Sequence, residues 1–321
     1  MTLPIQHYIP DASNMILGCM HLGGGWNNNP ITPKEIDQAF DIVSCAIENG
    51  INTLDLADIY TFGKAEKTIG ELFKRERSLR NHLILQTKIG IKLQPEYSLN
   101  HYDLSSDWIT QAVNASVKRL HDNTIDILFL HRPDPLMQLD DAARALTKLH
   151  EQGKFEYLAV SNMHAGQIAF LQSALQIPII ANQLEMSLLN HDFVSDNMTV
   201  NMVENANNGF PRGTLEFCQQ SQIQLQAWGA MAQGKFSSEQ AYECTKMEAT
   251  RQLIQSLASE YEVDSNAIVL AWLMKHPANI QPVIGSTQTS RIVMASKAGS
   301  VNLSRLHWYE LLETIRGKPV P

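Results

Sequence analysis

Apolar residues in this chain gather into short dense runs, each bounded by polar or turn-forming residues and followed by a longer stretch with helical spacing. Eight runs have strand character: Met15–Met20, Ile51–Leu56, Leu83–Lys88, Ile125–Leu130, Tyr157–Val160, Pro178–Ala181, Ile223–Ala227 and Ile280–Ile284. Helical spacing is evident over Thr32–Asn49, Ala65–Lys74, Ser106–His121, Asp140–Gln152 and Ala165–Leu175. The first of these carries its own boundary signals. Thr32 and Glu35 stand at capping-box spacing, Pro33 takes the first helical position and Gly50 is the stop.

Strands that alternate with helices need crossover connections, and crossovers make neighbouring strands parallel. Eight such units predict a closed (β/α)8 TIM barrel. An open doubly wound sheet would need a glycine-rich fingerprint after its first strand. Gly23-Gly24-Gly25 has the wrong spacing and runs into Trp26-Asn-Asn-Asn-Pro30, so it reads as a flexible loop. Barrels often exceed the usual domain size and no linker divides these 321 residues, so residues 1–321 are expected to form one domain.

Two pieces lie outside the repeat. The segment His191–Gly213 is rich in Asn and is expected to be a long loop, a surface insertion rather than a lid. Leu306–Ile315 is amphipathic and predicts an accessory helix packed outside the barrel, while Arg316–Pro321 is expected to leave the helix and extend toward the pocket.

Composition narrows the function. With 44% hydrophobic and 18% charged residues the chain can bury a large core. A formal charge of −8 and the lack of clustered Lys and Arg argue against nucleic-acid or anionic-membrane partners. The N-terminus lacks the basic start and apolar block of a secretory signal, and the longest apolar run, Ala267–Met274, is too short to span a bilayer. A cytoplasmic location is therefore expected. Cys19, Cys45, Cys218 and Cys244 are scattered without metal-type spacing and read as buried or incidental thiols.

In a barrel of this kind the residues just past each strand build the active site. Here they are Asp55 and Tyr60, Lys88, His131, Ser161 and Asn162, Asn182 and Gln183, Trp228, and Ser286. Any one alone is an ordinary strand-end polar residue; Asp, Tyr, Lys and His on consecutive strand ends of one face are not. A buried Lys88 needs a counter-charge, which Asp55 can supply from the neighbouring strand. The same ammonium is expected to lower the pKa of Tyr60 from about 10, making it a proton donor nearer neutral pH. A neutral His131 would hydrogen-bond the same substrate oxygen. Asp58 reads as a solvated loop residue. Neither a Ser elbow, nor a Cys with an evident His partner, nor metal-ligand spacing is visible. The set suits charge developing on a carbonyl or alkoxide oxygen, with electrons from a cofactor.

These residues carry a family resemblance. Asp55-Leu-Ala-Asp-Ile-Tyr60, Thr87-Lys88, Ile125-Asp-Ile-Leu-Phe-Leu-His-Arg-Pro-Asp134, Val160-Ser-Asn162, Asn182-Gln-Leu-Glu185 and Ile284-Gly-Ser286 with Arg291 together resemble the aldo-keto reductases, in order from about Met15 to Arg291. The His131-Arg-Pro-Asp-Pro135 segment and the Val320-Pro321 ending look most like the bacterial YdhF-type oxidoreductases. The resemblance implies a tetrad of Asp55, Tyr60, Lys88 and His131 with Tyr60 as general acid. It also implies a nicotinamide carboxamide held by Ser161, Asn162 and Gln183, and a ring stacked on Trp228.

Departures from the family pattern bear on the cofactor. Trp228-Gly229 replaces the common Tyr-Ser, which removes a hydroxyl near the phosphates, and Gly285 stands where many relatives have Lys. Arg291, beside Ser286, is the remaining candidate for a 2′-phosphate, its alternative being an ion pair with an acidic surface neighbour. NADP(H) is the expected cofactor, with NAD(H) left open and no metal. Met163 replaces the usual Phe and reads as a packing change.

The expected activity is NADPH-dependent reduction of an aldehyde or ketone by a monomer or weak homo-oligomer. The alternative is a cofactor-binding regulatory or sensor protein with little turnover. A cofactor-free lyase using Lys88 as an imine former is disfavoured because Asp55 should hold Lys88 protonated. Substrate choice would rest with Arg132–Leu139, Trp228–Phe236 and Gly317–Pro321, whose few charges do not select a substrate; Met20 and Trp26 are further candidates for the pocket lining.

Overall fold

A computed structural model describes residues 2–94, 99–203, 208–237 and 244–321. The strands are β1 (Ile16–Gly18), β2 (Thr53–Asp55), β3 (Ile84–Ile89), β4 (Ile91–Gln94), β5 (Leu99–Tyr102), β6 (Ile125–Leu130), β7 (Phe155–Ser161), β8 (Ile179–Glu185), β9 (Gln224–Trp228) and β10 (Gln281–Ile284). Eight of them close a parallel barrel in the order β1-β10-β9-β8-β7-β6-β3-β2. Each corresponds to one of the eight apolar runs in the sequence. The remaining two, β4 and β5, form an antiparallel hairpin that the sequence reading did not anticipate.

The helices are α1 (Pro33–Glu48), α2 (Lys64–Arg75), α3 (Ser106–Leu120), α4 (Leu139–Glu151), α5 (Ala165–Gln172), α6 (Asp192–Met198), α7 (Thr214–Gln220), α8 (Thr245–Glu260), α9 (Ser265–Met274), α10 (Thr289–Ser296) and α11 (Arg305–Arg316). At the start of α1 the capping box forms as its spacing predicts: Glu35 N–H donates to Thr32 Oγ1, and Glu35 Oε2 accepts from Thr32 N at 2.7 Å. That satisfies two of the donors a helix N-terminus leaves free. The apolar run Ala267–Met274 lies within α9, which is buried along nearly its whole length. No helix among the described residues is long and apolar enough to cross a membrane.

The accessory helix α11 is fixed by an indole clasp. Trp308 stacks on Trp272 of α9 with ring centroids 5.1 Å apart, and each indole N–H donates to the other residue's backbone carbonyl, at 3.0 and 2.9 Å. Stacking and hydrogen bonding thus act on one pair. Arg316, expected beyond this helix, is its last residue. The tail after it folds back: Arg316 Nη1 donates to the Pro319 carbonyl and Val320 N–H to Glu313 Oε1, both on or beside α11.

The Asn-rich segment also differs from a plain loop. Helix α6 forms within it because Phe193, Val194 and Asp196 are buried, with Phe193 edge-on to Trp272. Asn205 and Asn207 lie outside the described residues.

Two apolar layers enclose the polar interior. Side chains on the outer face of the strands meet the helices in the main core. Inside, Leu3 and Ile5 pack with Ile84, Ile127, Phe129 and Ala181 and close the amino-terminal end of the barrel. Alternation along β3 then turns Gln86 and Lys88 inward above Ile84, and the same alternation on β2 turns Asp55 inward. What is left open is the carboxyl-terminal rim.

Candidate active site

Lys88 is fully buried, and its ammonium has a partner for each of its three protons. Nζ lies 2.6 Å from both Asp55 oxygens, 3.0 Å from the Leu56 carbonyl and 3.2 Å from Tyr60 Oη. Burial alone would drive the proton off Lys88; the charge of Asp55, helped by Tyr60, more than offsets it and raises the pKa above its usual value. Lys88 is therefore a cation, as its pairing with Asp55 leads one to expect.

Tyr60 reaches this ammonium because the chain leaves β2 along the edge of β3. Leu56 N–H donates to the Gln86 carbonyl and Asp58 N–H to the Lys88 carbonyl, at 2.8 and 2.9 Å. A tight turn follows, in which Thr61 and Phe62 adopt left-handed backbone, with φ of 48° and 60°. That conformation is costly for a β-branched residue. It is held by the buried Thr61 hydroxyl, which donates to the Leu22 carbonyl at 2.9 Å.

The environment of Tyr60 corrects the expected direction of its pKa. Burial disfavours the phenolate and outweighs the opposing pull of Lys88, so the pKa rises above its usual value. Asp55 and Cys19 add to the rise. Tyr60 is thus protonated at neutral pH, with the Lys88 ammonium 3.2 Å from its oxygen.

His131 follows β6 directly, its N–H bound to the Ile89 carbonyl at 2.8 Å. Its ring stands edge-on to Tyr60 with centroids 6.0 Å apart. Burial, with Lys88 and Arg132 nearby, holds its pKa well below 6.5, so the ring is neutral. Nδ1 is buried and meets no partner among the described residues, which leaves Nε2 as the nitrogen that can face a substrate.

The second half of the rim is built differently. Ser161 Oγ donates to the Gln183 carbonyl at 2.9 Å and accepts from Asn162 Nδ2 at 2.8 Å. Asn162, with φ of 58°, also receives the Trp228 indole N–H on Oδ1 at 3.1 Å. Gln183 Nε2 donates to Asp55 Oδ1 and Gln226 Oε1, both at 3.0 Å, so only Oε1 remains for a ligand. Gly229 has φ of +68°, a conformation that explains why glycine stands here. Gly285 has open space where a side chain would be. Ser286 Oγ caps the turn into α10 by accepting from Gln288 N–H. Arg291 is exposed in the first turn of α10 and makes no ion pair among the described residues, contrary to the alternative of an acidic surface partner.

Not every rim residue joins the site. Asn182 points outward, with Nδ2 on the Met163 carbonyl at 2.9 Å. Asp58 is not a solvated loop residue: its carboxyl is buried, Oδ1 meets no donor among the described residues, and burial with nearby Glu66 lifts its pKa well above the usual range. Asp134 anchors the hairpin, accepting from Leu104 N–H and Leu136 N–H at 2.8 Å each. Trp26 stands edge-on to Phe62, two residues past Tyr60, and Met20 is half-exposed next to Cys19.

Gln86 and Gln226 were missed from sequence, yet both are buried and bonded toward Asp55. The signal was available: each stands two positions before a rim residue, Lys88 or Trp228, on the inward face of its strand.

The sequence matches the Aldo/keto reductase family over residues 14–314. The chain belongs to that family. It is accordingly an NAD(P)H-dependent oxidoreductase with the family's barrel. It is 32% identical to a 6-dehydroglucose reductase of Agrobacterium fabrum, over 97% of this chain and 96% of that protein. Oxidoreductase YdhF of Escherichia coli is 28% identical over 97% of this chain and 96% of its own length. Among solved structures, an aldo/keto reductase from Klebsiella pneumoniae in complex with NADP and acetate superposes with a TM-score of 0.70 at 20% identity, covering 97% of this chain and 93% of that one.

Proposed function

We propose that this aldo/keto reductase uses NADPH to reduce the carbonyl of an aldehyde or ketone to an alcohol, with Tyr60 as the general acid. The observation that carries the reading is the single ammonium of Lys88, bonded at once to both oxygens of Asp55 and to the Tyr60 hydroxyl. Reduced nicotinamide, when bound, supplies the hydride. Tyr60 Oη gives its proton to the carbonyl oxygen, and Lys88 stabilises the phenolate that results. Asp55 keeps Lys88 charged, and neutral His131 offers Nε2–H to the same oxygen and orients it.

The rim from β7 to β10 suits a nicotinamide cofactor. Ser161, Asn162 and Gln183 have their own protons engaged with neighbouring oxygens, so what they offer a carboxamide is acceptor oxygens for its NH2, Gln183 Oε1 foremost, while Trp228 offers a flat face beside them. Gly229 and Gly285 leave room for a diphosphate backbone, and Ser286 and Arg291 are the residues proposed to meet a 2′-phosphate. Arg291, a cation with no ion-pair partner among the described residues, is the feature that favours NADPH over NADH.

For substrate, the named activity of the Agrobacterium relative makes 6-dehydroglucose, a sugar aldehyde, the first compound to try, alongside aromatic and aliphatic aldehydes. Tyr60→Phe should lower turnover about 100- to 10,000-fold while NADPH binding, followed by fluorescence, is retained. Unchanged turnover in that variant would overturn the role of Tyr60, and NADPH binding without oxidation by any carbonyl would overturn the reductase.

A further inference from the structure

A line of buried amides runs from the closed end of the barrel to the catalytic carboxylate. Gln281 Nε2 donates to the Ser13 carbonyl at 2.6 Å, and Gln281 Oε1 accepts from Gln226 Nε2 at 3.2 Å. Gln226 and Gln86 exchange two bonds, each amide donating to the other's oxygen at 3.0 Å. Gln226 Oε1 also accepts from Gln183 Nε2 at 3.0 Å. Gln86 Nε2 and Gln183 Nε2 then converge on Asp55 Oδ1, at 2.5 and 3.0 Å. All four glutamines are buried.

The direction of these bonds is dictated from the top. Every group around Asp55 donates, which requires a carboxylate that only accepts. Gln86 and Gln183 must therefore turn their NH2 groups toward it, and both place a second proton on Gln226 Oε1. Gln226 is left to donate to Gln86 and Gln281. Gln281 in turn presents its own NH2 to Ser13. Four amides in a low-dielectric interior, with one consistent polarity, form a cooperative unit in which each bond strengthens the next.

We propose that Gln281, Gln226, Gln86 and Gln183 are positioning residues that share the charge of Asp55, and so set how strongly Lys88 is left free to hold Tyr60. Two amide donors on Oδ1 take up part of the carboxylate's demand for protons. Without them Asp55 draws the Lys88 ammonium closer, and the 3.2 Å bond from Nζ to Tyr60 Oη weakens. Tyr60 faces Lys88 from β3, Asp55 from β2, Cys19 after β1 and His131 after β6. Lys88 is the one cation in that set, so the phenol responds to its hold. The inference rests on Tyr60 being the acid of the reaction.

The test is Gln226→Met, which keeps side-chain length, touches neither Asp55 nor Lys88, and removes the group that orients the Gln86 and Gln183 amides on Asp55 Oδ1: the oxygen both donate to and the NH2 that holds Gln86 Oε1. Tyrosinate absorbance of Tyr60 is titrated in apo protein, as the difference between each protein and its own Tyr60→Phe counterpart. The midpoint should move up by about one pH unit in Q226M. Turnover with NADPH should fall about three- to tenfold with KM for NADPH unchanged. Gln281→Met, one bond further from Asp55, should shift the midpoint in the same direction by less, and carries the same test should Q226M fail to fold. A lower melting temperature with an unmoved Tyr60 titration would overturn the proposal and leave the amides a packing device. Since the titration needs no turnover, a protein that reduces no carbonyl would refute the reductase reading without deciding the fate of the amide line.

Discussion

At the ends of β2 and β3 the polar groups are paired before any ligand arrives: all three Lys88 protons are taken, and Asp55 receives donors from three side chains. At the ends of β9 and β10 the arrangement is the opposite. Gly285 borders open space, Ser286 is engaged only with its own turn, and Arg291 extends into solvent without an ion pair among the described residues. The contrast follows from dielectric. Charges in the barrel interior must be neutralised at folding, because an unpaired buried ion costs several kcal/mol. Charges at the exposed rim are paid for by water and can wait for a phosphate. Substitutions in the first half should therefore disturb stability and chemistry together, and those in the second should disturb cofactor affinity alone.

Lys88→Met is the strongest way to break the contrast. It strands Asp55 in the interior, a change that should cost about 3–5 kcal/mol in urea unfolding and abolish measurable reduction. Adding Asp55→Asn should restore most of the stability and none of the activity. If K88M unfolds at the wild-type urea concentration, the Lys88–Asp55 pair does not hold the barrel interior together.

Arg291→Ala probes the other half. If this cation meets the 2′-phosphate as proposed, its removal should weaken NADPH binding about tenfold and leave NADH binding and melting temperature as they are. Equal loss for both cofactors would remove Arg291 from the discrimination. Trp228→Phe tests the boundary between the halves, because the indole both offers a face and holds Asn162 Oδ1. Phe keeps a ring and loses the N–H, worth about 0.5–1.5 kcal/mol, so the dissociation constant for NADPH should rise a few-fold with turnover little changed. A large fall in turnover would mean that Asn162 belongs with the catalytic half.

The same division governs what was legible from sequence. All eight barrel strands could be read because each is a short, largely apolar run that buries both faces, and the four residues of the tetrad could be read from their places: Asp55 and Lys88 stand at the ends of such runs, His131 follows one directly and Tyr60 lies in the loop after another. The hairpin of β4 and β5 could not. Leu99 and Tyr102 are exposed, so no buried face writes an alternating pattern into it. Helix α6 hid among asparagines because only Phe193, Val194 and Asp196 are buried in it. β8 runs on to Glu185 rather than stopping at Ala181, since polar Gln183 faces a polar interior and breaks the apolar signature. The direction of the Tyr60 pKa was out of reach for a different reason. It is set by burial against one nearby cation, and sequence gives the cation but not the burial.

The smallest expected effect is an absence of change with pH, and it sharpens the comparison from within the catalytic half. Tyr60 must be protonated to act as an acid. Burial raises its pKa above the usual 10.0, so the protonated form persists through neutral and mildly alkaline solution and is lost only as pH passes that raised value. In the proposed reaction His131 must be neutral to share the substrate oxygen with Tyr60 without competing as a cation. Burial and Lys88 hold its pKa well below 6.5, so it is neutral throughout the same window and charges only in more acidic solution. The rate of carbonyl reduction, as kcat/KM with a non-ionising aldehyde, should therefore stay level from about pH 6.5 to 9. A fall on the alkaline side within that range would mean that Lys88 outweighs burial at Tyr60. A fall on the acid side would place a charged His131 beside Lys88, and the buried half of the rim would then be as open to water as the cofactor half.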